Sequence, residues 1–389
     1  PYSIIGIGDL EQSYFNRTSG MANTGIAYSN NNFVTINNPA SLSYLTNQLF
    51  LVETSARGKY VKYSGTGVTA GLSAKDFSIE KLTLGMRIKK WWGAAAGLMP
   101  YSTSNYTFSG TQSLQGSNLT LPVDYDGSGG VNRFFFANGF KITKNLSIGA
   151  NASYLGGSLV QRDSLFSTDV TSSIFTTKNI YVSNLYLDYG LQYHMKLSKK
   201  WNATLGFTYA PETALHAQNT ALIKDGKGDT LSNVTLTSTI FTLPNTTGFG
   251  ISIIKDNRLT FVADYRYQAW SSLNISGINY RLVNSNRYSA GVEYSKQKEY
   301  QGSKFEVSYL QAGAFYNQSY LQISNEQIAD RGFTLGAGFN SKRSTLSYHF
   351  AFEYGIRGSG ITPVKENYTN FTIGLSYKDF WNTKGRKYN

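Results

Sequence analysis

LSYHFAFEYGI, residues 346–356, repeats with a period of two. Leu346, Tyr348, Phe350, Phe352, Tyr354 and Ile356 alternate with Ser347, His349, Ala351, Glu353 and Gly355. Successive side chains of a strand point to opposite faces, so this stretch reads as a strand with one greasy face and one small, polar or charged face. The pattern recurs at 146–154, where Leu146, Ile148, Ala150, Ala152 and Tyr154 alternate with Ser147, Gly149, Asn151 and Ser153. It recurs again where Phe371, Ile373, Leu375 and Tyr377 alternate with Thr372, Gly374, Ser376 and Lys378. Soluble sheets seldom need strands of this length, whereas a tilted strand that crosses a bilayer needs about nine to eleven residues.

Working outward, alternation and turn signals divide the chain into fourteen segments: 48–62, 77–89, 92–108, 130–141, 145–161, 181–196, 201–216, 238–254, 258–274, 286–297, 304–318, 331–340, 345–357 and 368–380. The connections alternate in length. KKW at 89–91, ITKN at 142–145, LSKK at 197–200, KDN at 255–257 and NSKRS at 340–344 are tight, and KQKEYQGSK at 296–304 is the longest on that side. The other connections, such as 109–129, 162–180 and 217–237, are long and rich in Gly, Ser, Thr and Asn. Short turns at one end and long loops at the other mark a transmembrane antiparallel β-barrel of the bacterial cell outer membrane. An even strand number brings both termini to the short-turn, periplasmic side. Pro244, inside the eighth segment, cannot donate to a ladder and predicts a bulge, a curve or a local opening.

Composition agrees. Charged residues make up only 15% of the 389, against roughly 25% in soluble domains, and aromatics reach 15%, so the chain is not disordered. Cysteine is absent, which excludes disulfides, thiolate metal sites and a cysteine nucleophile. No apolar run is long enough for a spanning helix, and the start PYSIIGIGDLEQ lacks the basic and apolar regions of a secretory signal. Trp91, Trp92, Trp201, Trp270 and Trp381 fall near segment ends, where amphipathic rings would meet the membrane interface.

The net charge is +13, and half of the 36 basic residues fall at the short-turn rim. They are Lys89, Lys90, Lys141, Lys144, Lys196, Lys199, Lys200, Lys255, Arg258, Lys296, Lys298, Lys304, Lys342, Arg343, Lys378, Lys384, Arg386 and Lys387. A ring dispersed over many turns is unlike the concentrated face of a nucleic-acid binder, and no nucleic-acid partner is expected. It suits lipid headgroups, an outer-membrane or periplasmic protein partner, or simple solvation of turn lysines.

Residues 1–46 do not alternate. They carry turn chemistry in GIGD at 6–9, SNNN at 29–32 and NNPA at 37–40, and a segment of this size fits inside the barrel as a hatch. The expected organisation is a hatch over 1–46, the barrel over 47–381 and a basic periplasmic tail over 382–389.

RTSGMANTGIAYSNNNFVTINNPASL at 17–42, with its closing Asn38, Pro39 and Ala40, resembles the N-terminal hatch of the FadL-type long-chain fatty acid transporters. The resemblance continues in GLMPYSTSNYTF at 97–108, in FTLPNTTGFGISIIKDNRLTFVADYRYQAWSSL at 241–273 and in RYSAGVEY at 287–294. It implies passive uptake of fatty acids or other hydrophobic compounds into an apolar pocket, then passage by the hatch or through a gap in the wall. By that resemblance Arg162 stands where the family has a carboxylate-binding arginine after the fifth strand. The family's lysine before the tenth strand has no match, Arg281 and Arg287 being the nearest cations, and Arg287 is carried as the second ligand candidate. Strict alternation from Leu146 puts Arg162 on the lipid side, so either a bulge near Gly156 and Gly157 turns it inward or it sits in the loop.

Taking the polar face as inward, the lumen collects Arg87, Arg133, Asp188, His194, Asp264, Arg266, Arg287, Glu293, Glu306, His349 and Glu353. Mixed signs point to ion pairs that fasten the hatch, for which Asp9, Glu11 and Arg17 are the hatch partners. An enzyme is not expected: His194, His216 and His349 are the only histidines, and there is no HExxH, no GxSxG and no phosphate loop. No cofactor or metal is implied. The leading expectation is uptake of a hydrophobic ligand from among membrane lipids. The alternative is a non-transporting barrel of the same kind serving as a subunit of a larger outer-membrane secretion or assembly complex. A polar porin is disfavoured, because a plug defeats open diffusion.

Overall fold

The computed structural model describes residues 2–4, 6–65, 68–69, 71–113, 120–167, 173–277, 279–300, 303–341, 345–358 and 364–380. The expected tail at 382–389, Trp381 and the rim cations Lys342, Arg343, Lys384, Arg386 and Lys387 lie outside the described residues.

Fourteen antiparallel strands form the wall: β1 Leu49–Ser64, β2 Ser73–Lys89, β3 Trp92–Thr103 continuing as Tyr106–Ser113, β4 Thr120–Lys141, β5 Leu146–Leu165, β6 Ile174–Lys196, β7 Trp201–Ala210 continuing as Thr213–Asp225, β8 Thr230–Leu243 continuing as Thr246–Lys255, β9 Leu259–Gln268, β10 Ser285–Tyr300, β11 Ser303–Ile323, β12 Glu326–Asn340, β13 Leu346–Arg357 and β14 Lys365–Phe380. Each pairs with the next, and β1 pairs with β14 from Leu49↔Phe380 to Ser64↔Lys365, which closes the sheet. Closure there removes the two terminal edges that an open sheet would expose in hydrocarbon.

Alternation fixes which way each strand faces. The outward positions stay uncovered although apolar: Phe134, Phe136, Phe249, Leu310, Leu335, Phe371 and Ile373 are all exposed. A soluble monomer rarely shows a continuous apolar belt of this extent, whereas a lipid-facing wall requires one. No helix is long and apolar enough to cross a membrane.

Three features depart from the sequence reading. The Gly-, Ser- and Thr-rich stretches expected as loops continue largely as strands above the apolar band, β4 from Thr120, β6 from Ile174 and the hairpin of β7 with β8. Both faces are polar in water there, so alternation vanishes while the ladder persists. The break at Pro244 is a bend, because β7 breaks beside it at Pro211 and pairing resumes on both sides, Ala210↔Thr246 and Thr213↔Leu243. Asn245 Oδ1 bridges the two breaks, accepting from Glu212 N at 2.8 Å and from Tyr209 Oη at 3.2 Å. Finally, Trp270 leaves the interface set: it begins a single 3-10 turn after β9, is 1% exposed, and stacks on Tyr320 at 4.6 Å.

The residues before β1 run inside the barrel. They form 3-10 turns at Tyr2–Ile4, Arg17–Met21 and Pro39–Tyr44, plus a two-residue strand Asp9–Leu10 that pairs with Thr103 and Ser102 of β3. Phe15, Met21, Ile26, Phe33, Val34, Leu42 and Leu45 are buried against the wall's inner face.

Candidate functional site

The lumen is where this chain concentrates buried charge. Arg17 opens its 3-10 turn, whose N-cap is Asn16, and reaches the wall between two carboxylates. Its Nε and Nη2 donate to Glu293 at 2.9 and 2.8 Å, and its Nη1 and Nη2 donate to Glu306, each at 2.6 Å. Gln311 Nε2 and Ser295 Oγ donate to the same carboxylates at 2.6 Å, so the acceptors are well satisfied. The rings of Tyr309 and Phe33 flank the guanidinium, with centroids 4.0 and 4.9 Å away. Bidentate pairing on two sides of a planar cation is geometry that lysine could not supply.

Further pairs tie the segment elsewhere. Glu11 meets Arg57 at 2.9 Å, and Arg57 also meets Glu80 at 3.1 Å. Asp9 holds both terminal nitrogens of Arg357. Burial pushes the Asp9 carboxyl up, but the adjacent Arg357 guanidinium outweighs this and holds it below the usual carboxylate range. Asp264 accepts the backbone N–H groups of Gly25 and Ile26 at 2.6 and 2.9 Å. Asn38 caps the third 3-10 turn by accepting from Ala40 N at 3.1 Å, while its Nδ2 reaches Ile26 O, Leu191 O and Phe207 O at 2.8, 3.1 and 3.2 Å. Pro39 takes the first position of that turn, where its missing N–H costs nothing, and Ala40 is fully buried.

Glycines in the wall let the segment come this close. Gly139 pairs across to Gly93 on one side and to Gly149 on the other, and Gly149 pairs to Gly190. A Cβ at Gly93 would strike Leu42 O, at Gly139 Pro39 O, at Gly149 the backbone of Pro39 and Ala40, and at Gly190 the Asn38 side chain. Gly206 and Gly250 meet Ile26 and Ala27 in the same way, and Gly291 and Gly313 meet Met21. This belt was not singled out in the sequence, although inward-facing glycines on consecutive strands are a readable signal.

The other expected lumen groups fall as follows. Arg133 pairs with Asp188 and donates to Ser153 Oγ at 2.8 Å. Arg266 lies over the Tyr14 ring at 5.2 Å, and Glu353 accepts from Asn370 Nδ2 at 2.9 Å. Arg287 donates to Ala22 O at 3.3 Å and covers the Phe315 ring, so it holds the segment. Arg87 pairs with no acid among the described residues; it donates to the carbonyls of Leu45, Lys89 and Lys90 at the short-turn rim. His194 Nδ1 lies 3.0 Å from Thr204 Oγ1, and His349 sits between Tyr309 and Ser376. Lys378 lies at the short-turn end but faces inward and is buried, 4.0 Å from the Phe33 ring. Arg162 is exposed on the outer face of β5; the register runs unbroken past Gly156 and Gly157, so no bulge turns it inward. Arg57 and Arg357, the partners of Glu11 and Asp9, were missed.

The spaces beside the segment are small. One cavity of about 100 Å³ is lined by Asp9, Glu11, Arg57, Arg287, Asp330, Glu353 and Arg357, and one of about 80 Å³ by Tyr14, Arg133, Asp188 and Arg266. A third, of about 20 Å³, lies beside Arg17. Ligand pockets run to about 300–1,000 Å³ and are mostly apolar. The apolar side chains at the long-loop end, among them Leu155, Leu159, Leu215, Leu243, Trp270 and Ile328, form a packed cluster closed by Tyr2 and Ile7. No metal-binding group occurs among the described residues.

The fold is similar to that of several solved structures. A Pseudomonas aeruginosa FadL homologue aligns with a TM-score of 0.65 at 14% identity, covering 96% of this chain and all of that one. The Pseudomonas putida toluene transporter TodX aligns at 0.65 and 18%, covering 97% and 100%, and the Ralstonia pickettii toluene transporter TbuX at 0.56 and 16%, covering 94% and 98%. None of the curated proteins matches the chain significantly. The FadL-type barrel read from 17–42 and its companion motifs is thus the architecture of this protein. One family model spans the whole of residues 1–389, that of BamG, and the chain belongs to the BamG family.

Proposed function

We propose that this protein is an outer-membrane barrel sealed by its own N-terminal hatch, residues 1–46, and that it serves as a subunit of a larger outer-membrane secretion or assembly complex. One observation carries the reading: the lumen is filled by a segment clasped at Arg17, Asp9, Glu11 and Asp264, and the residual cavities are small and lined by charge. A conduit for hydrophobic compounds needs a continuous apolar path, and charged walls oppose one. Membership of the BamG family supports a role within a complex. Both termini would face the periplasm, with the basic short-turn rim and the tail at 382–389 available to headgroups or to a periplasmic partner.

A second reading, uptake of a fatty acid or similar hydrophobic compound, draws on the likeness to the toluene transporters and on the apolar cluster beneath Tyr2 and Ile7. Opening would require those two side chains to withdraw.

Native mass spectrometry of the protein extracted gently from its own membrane separates the two. Stoichiometric partner proteins around a lipid-free barrel are expected. A monomer carrying a fatty acid or another lipophile would overturn the subunit reading and favour uptake.

A further inference from the structure

The wall is closed at β1 and β14 but unpaired at one seam. β2 pairs with β3 only from Leu82↔Leu98 to Lys89↔Trp92, whereas it pairs with β1 as far as Ser73↔Lys62. Past Leu98, β3 turns away: Pro100 lacks an N–H, and the register with β4 shifts between Pro100 and Ser102. The edge that β3 would have offered to β2 is taken from inside. Asp9 and Leu10 pair with Thr103 and Ser102, and Glu11 N donates to Tyr101 O at 2.9 Å.

Among the described residues nothing comparable covers β2. On its β3 side, Ser73–Lys81 has no backbone partner among the described residues. Its lipid-facing positions, Met86, Leu84, Leu82, Ile79 and Phe77, continue the apolar belt up to Lys75, so the bare edge enters the outer part of that belt. Phe77 and Ile79 are 74% and 76% exposed, more than any other large apolar side chain among the described residues. The edge is also held in shape. Glu80 is the extra residue where Lys81↔Ser55 steps to Ile79↔Ala56, which turns both Glu80 and Lys81 inward to Arg57 and Glu53, at 3.1 and 2.6 Å.

Backbone N–H and C=O groups left bare in hydrocarbon cost several kcal/mol each, and what satisfies a row of them is another strand. We propose that residues 73–81 of β2 receive an extended strand from another outer-membrane protein by strand addition, its apolar side chains packing on Phe77 and Ile79. This rests on the subunit reading and names the surface that reading requires.

The test places the photoreactive residue p-benzoylphenylalanine singly at Phe77 and at Ile79 in the full chain, in its own membrane, with Phe261 on the far wall as control. All three side chains point outward, so the barrel is undisturbed. The expected result is one heavier adduct from both edge positions and none from Phe261. The adduct sites on the partner should lie two residues apart on one strand. Adducts with lipid alone, with a second copy of this chain, or at scattered partner positions would overturn the proposal. So would the absence of adducts while the complex still co-purifies, which leaves the subunit reading standing. If no partner protein co-purifies at all, that reading fails and the strand addition fails with it.

Discussion

At the scale of single residues, Arg17 is the strongest fastening. It is 1% exposed at the side chain and shared between Glu293 and Glu306. Removing one member of such a buried cluster strands the others, at about 3–5 kcal/mol. Arg17→Ala is therefore expected to cost the hatch that much protection, read by hydrogen exchange over residues 17–26, while Arg17→Met combined with Glu293→Gln and Glu306→Gln recovers most of it. Asp9 adds a pH dependence. Its folded pKa lies below its unfolded value because of Arg357, so its contribution is complete above the ordinary aspartate range and is lost as pH falls through the folded value. Exchange over residues 7–11 should accelerate on acidification below about pH 4, and Asp9→Asn should abolish that change; an equal acceleration in both would refute the assignment. The charges Asp9, Glu11 and Arg17 were legible from sequence, as were Glu293 and Glu306 from alternation. Arg357 was passed over although it ends the segment 345–357 and continues the inward set of His349, Glu353 and Gly355, because a lone charge at the last residue of a strand reads as part of the rim, and Arg57 was hidden because the outward residues around it, Thr54, Ala56 and Gly58, are too small to advertise a face.

At the scale of elements, a wall strand carries two messages. Its outward face is written in large apolar residues, which is why fourteen segments could be counted; its inward face is written partly in glycine, which periodicity treats as silence. The belt formed by Gly93, Gly139, Gly149 and Gly190 brings the third 3-10 turn into backbone contact with four strands at once. Gly149→Val places a branched side chain on Pro39 and Ala40, and overpacking of this kind costs typically about 1–3 kcal/mol. The expected outcome is loss of exchange protection over residues 36–45 with the β5 ladder intact. Gly58→Ala, whose Cβ meets nothing within 4 Å, is the matched control and should change neither. The upper strands escaped sequence reading for a related reason: where both faces meet water, hydrogen bonds hold the ladder and side-chain polarity no longer records it.

At the scale of the whole molecule, the proposed seal makes a prediction about what crosses the barrel. A fourteen-strand cylinder has a lumen wide enough to conduct once it is empty, and its lining here is charged, with Arg57, Arg133, Arg287, Glu293 and Arg357 facing inward. The N-terminal segment helps to bury them, Arg17 lying against Glu293, Glu11 against Arg57 and Asp9 against Arg357. In planar bilayers the full chain should therefore give no steps above background, since the spaces beside the segment measure about 100 and 80 Å³ and are lined by charge. Deleting residues 1–46 should produce ion conductance, and Gly149→Val, which keeps every clasp residue but pushes the third turn off the wall, should give intermittent steps. If the deleted form is silent despite a folded barrel, the wall must collapse onto itself when emptied. Conductance by the intact chain, in contrast, would mean that the clasps open unaided and that sealing is not their purpose.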